Sequence, residues 1–440
     1  MDGPKFAAKH GVLMKKVLMV AYSYPPVGGS GVLRVLKFTK YLPQFGFAPV
    51  VLTVRNPPLD DLDPTLLEEV PKEVKVIAAA SAEQQLLRAA SRPARLLGVK
   101  PEWFFVPGAQ IGWLPFAVRA GEAIIREEDI DVIFATAPVP TSLLIGHVLK
   151  RRTRKPLVLD FRDPWTQNVF TNNYPTRLHR KLEERMERAV LRSADHVVTT
   201  TDEMTRGLID KYPFLRDRCA TIRNGFDSSD FRELTRTASS ERFTITYAGS
   251  LYGLRTARHF LLALRNLMGK HRDLRNQIRV VFVGHQNWRT GRAVQEVGLE
   301  DVVEMNGFVP HRESLQLMLN ADVLLLVMGQ REALGNGMGP MMIPGKTFEY
   351  LATRRPILAL APAGAVSDLI KETGSGLVVP PEDVSAIEGA VLDLFARWQA
   401  GTLSVAPYDV SVFERRALTG RLAAVFESLS PGVRLREAHR

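Results

Sequence analysis

The chain has 440 residues, of which 45% are hydrophobic, with one cysteine and a formal net charge of +11. This length exceeds one ordinary core of about 150 residues and indicates two large domains or three small ones. The lone Cys219 excludes an intrachain disulfide. No apolar run reaches the roughly 20 residues of a membrane-spanning helix, and residues 1–13 lack a signal-peptide pattern, so we expect a cytoplasmic protein.

The positive charge lies mainly in the first half of the chain. Residues 1–225 hold 33 Lys and Arg against 24 Asp and Glu, whereas the remainder holds 25 against 23. Such an excess suits an anionic small substrate, an anionic bilayer surface or a nucleic acid. The basic run KRRTRK (150–155) has no interleaved aromatic residues, so no nucleic-acid partner is expected. The nine histidines show no metal-ligand spacing, so no metal site is expected either.

Short β-branched runs alternate with helical segments in the first half. Five runs are typical of buried parallel strands: KKVLMVAY (15–22), APVVLTV (48–54), DVIFATA (131–137), PLVLDF (156–161) and DHVVTTT (195–201). After the first run, Gly28 and Gly29 would let the backbone approach a ligand, and Arg34 falls on the first turns of a helix. The spacing GGxG departs from the GxGxxG of dinucleotide sites, and a loop without a ligand is the alternative.

Two further segments of the first half are ambiguous. In DFRDPW (160–165), Asp160 and Asp163 either face a ligand at the end of a strand or serve structure, with Arg162 pairing one of them. The aromatic segment WFFVPGAQIGWLPF (103–116) contains Trp103 and Trp113. It suits contact with a bilayer interface, and core packing is the alternative.

The strand and helix rhythm restarts after a polar stretch. The second series of strand-like runs is FTITYAGS (243–250), IRVVFVG (278–284), DVVEMNGFV (301–309), ADVLLLVMG (321–329), RPILALA (355–361) and SGLVVPP (375–381). Two such series predict two doubly wound α/β domains. We place the first domain at 1–225, a linker at 226–242 and the second domain at 243–407. The segment 408–430 contains a last helix that is predicted to pack back on the first domain.

Loops at the carboxyl ends of parallel strands carry the ligands of such sheets. In the second domain, the loop 249–260 offers Arg255 and Arg258. A later loop ends in IPGKTFEYLATRRPIL, where Pro344 and Gly345 mark a helix start. Lys346 would bind a phosphate at the helix N-terminus, and Glu349 would accept hydrogen bonds from a vicinal diol such as a ribose. An ordinary ion pair between Lys346 and Glu349 is the alternative.

These motifs together resemble family four of the retaining glycosyltransferases, which have the GT-B fold, and bacterial polysaccharide members in particular. The similarity covers roughly residues 14–429. It is carried by YSYPPVGGSGVLRV, DFRDPW, IRNGFD, TYAGSLYG, MNGFVPHRE and PGKTFEYLATRRPIL. The resemblance implies two Rossmann-like domains facing across a cleft, and transfer of a sugar from a nucleotide-diphospho-sugar to an acceptor hydroxyl with retention and without a metal or other cofactor.

The resemblance also implies roles for individual residues. Arg255 and Lys346 would stabilise the donor diphosphate, with Arg258 beside them, and Glu349 would hold the ribose hydroxyls. Gly307 and Phe308 fall in the segment that faces the nucleobase. Gly28 and Gly29 would face the donor phosphates and the acceptor. Asp160, Asp163 and Arg34 are assigned to the acceptor or cleft side.

One position departs from the family pattern. The first acid of the ExxxxxxxE motif should lie eight positions before Glu349, where Met341 stands. Backbone N–H groups of Gly337 and Gly339 would then hold the sugar, or activity is weakened. The leading hypothesis is transfer to a polysaccharide, glycolipid or lipid-linked acceptor, with peripheral contact at the inner face of the cell membrane. The alternatives are a nucleotide-sugar epimerase of the same fold and a nucleotide-binding partner protein without turnover.

Overall fold

A computed structural model describes residues 14–57, 62–168, 174–237, 241–249, 251, 256–284, 288–329 and 341–430. The chain divides into two compact units, Met1–Arg223 with Arg415–Arg440, and Asn224–Glu414. Within the described ranges, every helix is too short or too polar to cross a lipid bilayer.

The first unit is built on a seven-stranded parallel sheet in the order β3-β2-β1-β4-β5-β6-β7. Its strands are β1 (Lys15–Ala21), β2 (Phe47–Val54), β3 (Lys75–Ala79), β4 (Val132–Thr136), β5 (Leu157–Phe161), β6 (His196–Thr199) and β7 (Cys219–Thr221). Its helices are α1 (Ser30–Tyr41), α2 (Glu83–Leu97), α3 (Leu114–Glu127), α4 (Pro140–Thr153), α5 (Arg177–Ser193) and α6 (Asp202–Lys211). Alternate residues of β1 belong to two different hydrophobic clusters. Leu18 and Val20 pack in one cluster, and Val17 and Met19 pack in the other, so both faces of the sheet are covered.

The second unit is built on a six-stranded parallel sheet in the order β10-β9-β8-β11-β12-β13. Its strands are β8 (Phe243–Ala248), β9 (Ile278–Val283), β10 (Val303–Asn306), β11 (Val323–Val327), β12 (Ile357–Leu360) and β13 (Gly376–Val379). Its helices are α7 (Arg258–Lys270), α8 (Leu274–Gln277), α9 (Trp288–Val297), α10 (His311–Asn320), α11 (Lys346–Thr353), α12 (Ala365–Thr373) and α13 (Val384–Gln399). The strand order reverses between β8 and β11, and ligands of doubly wound sheets bind at such a switch point.

The last helix, α14 (Arg415–Leu429), belongs to the first unit, where it packs on α1. The ring of Phe426 lies 5.5 Å from that of Phe47 and 5.9 Å from that of Phe134, both in edge-to-face arrangements. These contacts close one face of the first sheet with the end of the chain. The prediction of two doubly wound α/β domains is confirmed, and so is the return of the last helix to the first of them.

Sequence reasoning found all the central strands and missed two at the edges, β3 and β7. Both are short, and most side chains of β3 are exposed. An edge strand of a parallel sheet needs no continuous apolar run, since one side and part of its faces meet solvent. The missed strands therefore lacked the signal by which the other eleven were found.

Candidate functional site

Three strands of the second sheet end in a glycine with positive φ. Gly249 follows β8 at φ +118°, Gly284 follows β9 at +106°, and Gly307 follows β10 at +35°. The Gly284 N–H donates to the carbonyl oxygen of Gly307 at 2.5 Å, and the Gly249 N–H donates to Val283 at 2.7 Å. L-residues with a side chain rarely adopt such φ values, so the row of glycines gives this edge of the sheet a bare backbone surface. We call Gly249, Gly284 and Gly307 the glycine edge.

Helix α11 is fixed to the same edge by Tyr350. This fully buried phenol oxygen accepts the Ala248 N–H at 2.8 Å and lies 3.2 Å from the carbonyl oxygen of Leu325. Burial raises the pKa of the Tyr350 phenol well above its usual value, so the hydroxyl stays protonated. The helix begins at Lys346, where Pro344 and Gly345 precede it as the sequence predicted. Tyr350 thus ties α11 to the carboxyl end of β8 and to the middle of β11.

Lys346 projects from that first turn over the Tyr247 ring, with the ammonium nitrogen 3.7 Å from the ring centroid. Its Nζ is buried, and a Cβ added at Gly249 would lie 2.8 Å from that atom. A cation over an aromatic face is held electrostatically and loses little entropy when it meets an anion. The positive charge of Lys346 therefore lies at the end of β8, beside the backbone of the glycine edge.

Glu349, one turn further along α11, is joined to α10 by His311. The His311 Nε2 lies 2.9 Å from Glu349 Oε1, and both side chains are largely buried. The bond orients the Glu349 carboxylate, and each oxygen of a carboxylate can accept hydrogen bonds. Sequence reasoning singled out Glu349 and missed His311, although His311 lies in MNGFVPHRE, one of the segments that carried the resemblance.

The remaining predicted donor residues are placed as follows. Phe308 follows Gly307 directly and is half exposed, so an aromatic face lies at the end of β10. Arg258 is exposed on the first turn of α7, where its backbone N–H donates to the Thr256 hydroxyl. Met341 is partly buried, three residues before Pro344. Arg255, Gly337 and Gly339 lie outside the described residues, so the predicted meeting of Arg255 with Lys346 stays a prediction.

Arg34 and Asp160 of the first unit form a fully buried ion pair. The guanidinium Nη2 lies 2.8 Å from Asp160 Oδ1, and the Thr136 hydroxyl donates to Asp160 Oδ2 at 2.7 Å. Arg34 also donates to the carbonyl oxygens of Ile222 and Arg223 at 3.0 Å. Neither side chain has exposed surface, which corrects the prediction that Arg34 and Asp160 contact an acceptor or line a cleft. The pair ties α1 to β5, and Arg34 also holds the backbone that follows β7.

Asp163, the second acid of DFRDPW, differs from Asp160 because it keeps some solvent exposure. Arg162 pairs with it at 3.1 Å, so the pairing expected of Arg162 falls on Asp163. The same guanidinium packs against the α1 N-terminus, where a Cβ on Gly31 would lie 2.5 Å from its Nη1. Gly29 caps that helix at φ +91° and is exposed, and Gly28 is partly exposed beside it. Asp163, Gly28 and Gly29 are thus the predicted first-unit groups that a ligand could reach.

The backbone conformation at Gly284 predicts that a side chain at this position lowers the stability of the protein. Replacing Gly284 with alanine is expected to destabilise the protein by about 1–3 kcal/mol, because the residue has φ +106° and its Cβ would lie 2.9 Å from the Gly249 carbonyl carbon. Gly269→Ala is the matched control, since Gly269 lies in a helix with open space around it and should change stability by less than roughly 1 kcal/mol. Urea unfolding of both variants measures the difference. Equal midpoints would contradict the strained geometry.

Two family models match the chain. The model described as Glycosyltransferase Family 4 matches residues 27–230, and the model described as Glycosyl transferases group 1 matches residues 242–397. Among curated proteins, the chain is similar to WcaL of Escherichia coli, provisionally named a colanic acid biosynthesis glycosyltransferase, at 28% identity over 199 residues. That match covers 45% of this chain and 47% of WcaL, so the chain spans about half the length of this relative.

Solved structures share the fold over nearly the whole chain. A glycosyltransferase from Rickettsia africae matches with a TM-score of 0.62 at 14% identity, covering 96% of this chain and all (100%) of that one. HepE of Anabaena, solved in complex with UDP, matches with a TM-score of 0.59 at 15% identity, covering 95% and 97%. Such identities show the fold alone. With family models matching both units in the expected order, the chain belongs to glycosyltransferase family 4.

Proposed function

We propose that this protein transfers a sugar from a nucleotide-diphospho-sugar to a hydroxyl group of a polysaccharide, glycolipid or lipid-linked acceptor. The observation that carries the proposal is the meeting of the Lys346 ammonium, the His311–Glu349 pair and the glycine edge at one end of the second sheet. A family 4 chain similar to a polysaccharide-biosynthesis protein supports the reaction class. We place the reaction in the cytoplasm, at the inner face of the cell membrane.

In this proposal, the diphosphate, the ribose and the base of the donor each meet a different group of the second unit. The bare backbone at Gly249 and Gly284 lets a diphosphate approach the sheet end, where Lys346 supplies the counter-charge. The Glu349 carboxylate accepts from the two ribose hydroxyls, and His311 holds that carboxylate in place. Phe308 presents an aromatic face suited to a planar base. Arg258 and Arg255 remain proposed additions to the cationic side of this site.

The chemistry follows from where charge develops. As the bond between sugar and diphosphate breaks, negative charge grows on the leaving phosphate oxygens, and a preorganised cation there stabilises the transition state more than the ground state. We propose that Lys346 does this without a metal ion or other cofactor. We further propose retention by attack of the acceptor hydroxyl on the face from which the diphosphate leaves, with an oxygen of the departing diphosphate taking the hydroxyl proton. Of the two acids in DFRDPW, only Asp163 is accessible to an acceptor, since Asp160 is buried with Arg34.

Donor binding is the first test. A thermal-shift panel of UDP, GDP, ADP, CDP and dTDP should yield one base that stabilises the protein, by about 2.7 kcal/mol at 100 times its dissociation constant. Glu349→Ala should weaken binding of that nucleotide by roughly tenfold or more, because two charge-assisted hydrogen bonds to the ribose are lost. Glu372→Ala, an exposed glutamate on α12, is the matched control and should bind normally. Equal affinity of both variants would remove the ribose role of Glu349.

Turnover is the second test, and it separates the enzyme from the two alternatives. Incubation with the matching nucleotide-sugar and a membrane extract should release nucleoside diphosphate, with and without EDTA. NMR of the glycosylated product should show the anomeric configuration of the donor. Nucleotide binding without release across a full donor panel would instead favour the binding protein, the hypothesis to which Met341 gives weight. Interconversion of nucleotide-sugars without an acceptor would identify an epimerase.

A further inference from the structure

Three neighbouring segments of the first unit expose large apolar side chains. These are the end of α2, the turn Pro101–Phe104 and the first two turns of α5, which together we call the α2–α5 surface. The exposed residues are Leu96 (80% exposed), Leu97 (67%), Phe104 (45%), Leu178 (63%) and Leu182 (38%). Single exposed leucines are ordinary on a protein surface, whereas a group with a polar rim marks an interaction site.

The three segments are held together by specific contacts. Helix α2 packs on the turn Pro101–Phe104. The His179 Nε2 lies 2.8 Å from the Trp103 carbonyl oxygen and so joins α5 to that turn. The Thr176 hydroxyl accepts the His179 N–H at 3.3 Å and caps α5 at its start. The exposed apolar residues therefore lie on segments that contact one another.

The α2–α5 surface is basic. Residues 83–104 and 176–185 contain eight Lys and Arg against four Glu, and one of the four, Glu83, is buried. Arg88, Arg92 and Leu96 are spaced by four residues, so they share one face of α2 and place two cations in line with the exposed leucine. Helices that lie in a bilayer interface combine arginine and lysine with leucine and phenylalanine in this way.

We propose that the α2–α5 surface binds an anionic bilayer, with Leu96, Leu97 and Phe104 entering the headgroup boundary and the surrounding arginines near lipid phosphates. Protein partners are matched by patches whose centre is depleted of charge, whereas here Arg95 directly precedes Leu96, and Lys100 lies between Leu97 and Phe104 along the chain. The inference extends the proposed function, because it names the surface by which the protein would reach a glycolipid or lipid-linked acceptor.

The structure shows which aromatic residues of the segment 103–116 could contact a bilayer. Trp113 is fully buried and meets the Tyr22 ring edge-to-face at 5.6 Å, so for this residue core packing is the correct alternative. Trp103 is partly buried, and its carbonyl oxygen serves the link to His179. Phe104, beside it, is exposed, and so is Phe116 at the other end of the segment.

Vesicle flotation of the full chain tests the proposal. The protein should float with vesicles of phosphatidylcholine containing a third phosphatidylglycerol, and far less with phosphatidylcholine alone. Leu96→Asp combined with Leu97→Asp, or glutamine at Arg88, Arg92 and Arg95, should lower the partition coefficient at least roughly tenfold, since each Lys or Arg near an anionic surface contributes about fivefold. The matched controls, Val412→Asp and Arg272→Gln, change exposed residues of the second unit and should float like the wild type.

The outcomes separate this inference from the proposed function. Wild-type protein that stays in solution with anionic vesicles, or surface variants that float normally, would overturn the bilayer proposal while donor binding stands. Normal flotation without donor binding would overturn the proposed function alone. Circular dichroism and thermal unfolding without ligand confirm that each variant is folded. If the leucine variants instead dissociate a wild-type oligomer, the surface belongs to a second copy of the chain and the bilayer proposal is wrong.

Discussion

Replacing Lys346 with alanine is expected to lower the release of nucleoside diphosphate by roughly one to three orders of magnitude. The Lys346 ammonium lies at the end of β8. Its position over the Tyr247 ring is set before any ligand arrives. A charge that is already in place stabilises the leaving diphosphate without reorganisation, and alanine removes it entirely. The effect should appear mainly in kcat, since the charge on the leaving group grows during bond cleavage.

A lysine on a neighbouring helix provides the control for this substitution. Lys371 is exposed on α12 of the same unit, so Lys371→Ala removes one positive charge without touching the glycine edge. Steady-state kinetics of both variants, with thermal unfolding to confirm the fold, distinguish a local role from a general loss of charge. If Lys346→Ala turns over like Lys371→Ala, the diphosphate site must be sought elsewhere. Weaker nucleotide binding with unchanged kcat would limit Lys346 to ground-state binding.

Asp160→Ala is expected to destabilise the protein by about 3–5 kcal/mol, because it leaves the buried guanidinium of Arg34 without its counter-charge. Both side chains are fully buried, so water cannot replace the lost partner. The substitution also removes one of the two acceptors of the Thr136 hydroxyl, the other being the Ala137 carbonyl oxygen. Urea unfolding followed by circular dichroism measures the loss, which is a large fraction of the stability of an ordinary domain.

The second acid of the same motif is the matched control. Asp163 is partly exposed and paired with Arg162, so Asp163→Ala should cost about 1–2 kcal/mol of stability, less than Asp160→Ala. If Asp163 also meets the acceptor, as proposed, its removal lowers turnover while the unfolding midpoint falls less than that of Asp160→Ala. Similar unfolding midpoints for Asp160→Ala and Asp163→Ala would contradict the structural role of the Arg34–Asp160 pair.

The sequence by itself determined the repeat of strands and helices in both halves and the helix start at Lys346. It did so because these features depend on neighbours along the chain: buried parallel strands require continuous β-branched runs, and Pro344 and Gly345 suit a first helical turn. It also indicated the diphosphate-binding chemistry of Lys346 and the diol-binding chemistry of Glu349. Those roles remain proposals that donor-binding experiments test.

Tertiary structure decided which polar groups are accessible and what holds the candidate site. Asp160 and Asp163 are three residues apart and identical in type, yet one is buried by Arg34 from a helix 126 residues away and the other is not. The His311–Glu349 bond spans 38 residues, and the Tyr350 bond to the end of β8 spans 102. Such partners carry no local sequence signal, because burial and pairing depend on which strands and helices become neighbours in the folded chain.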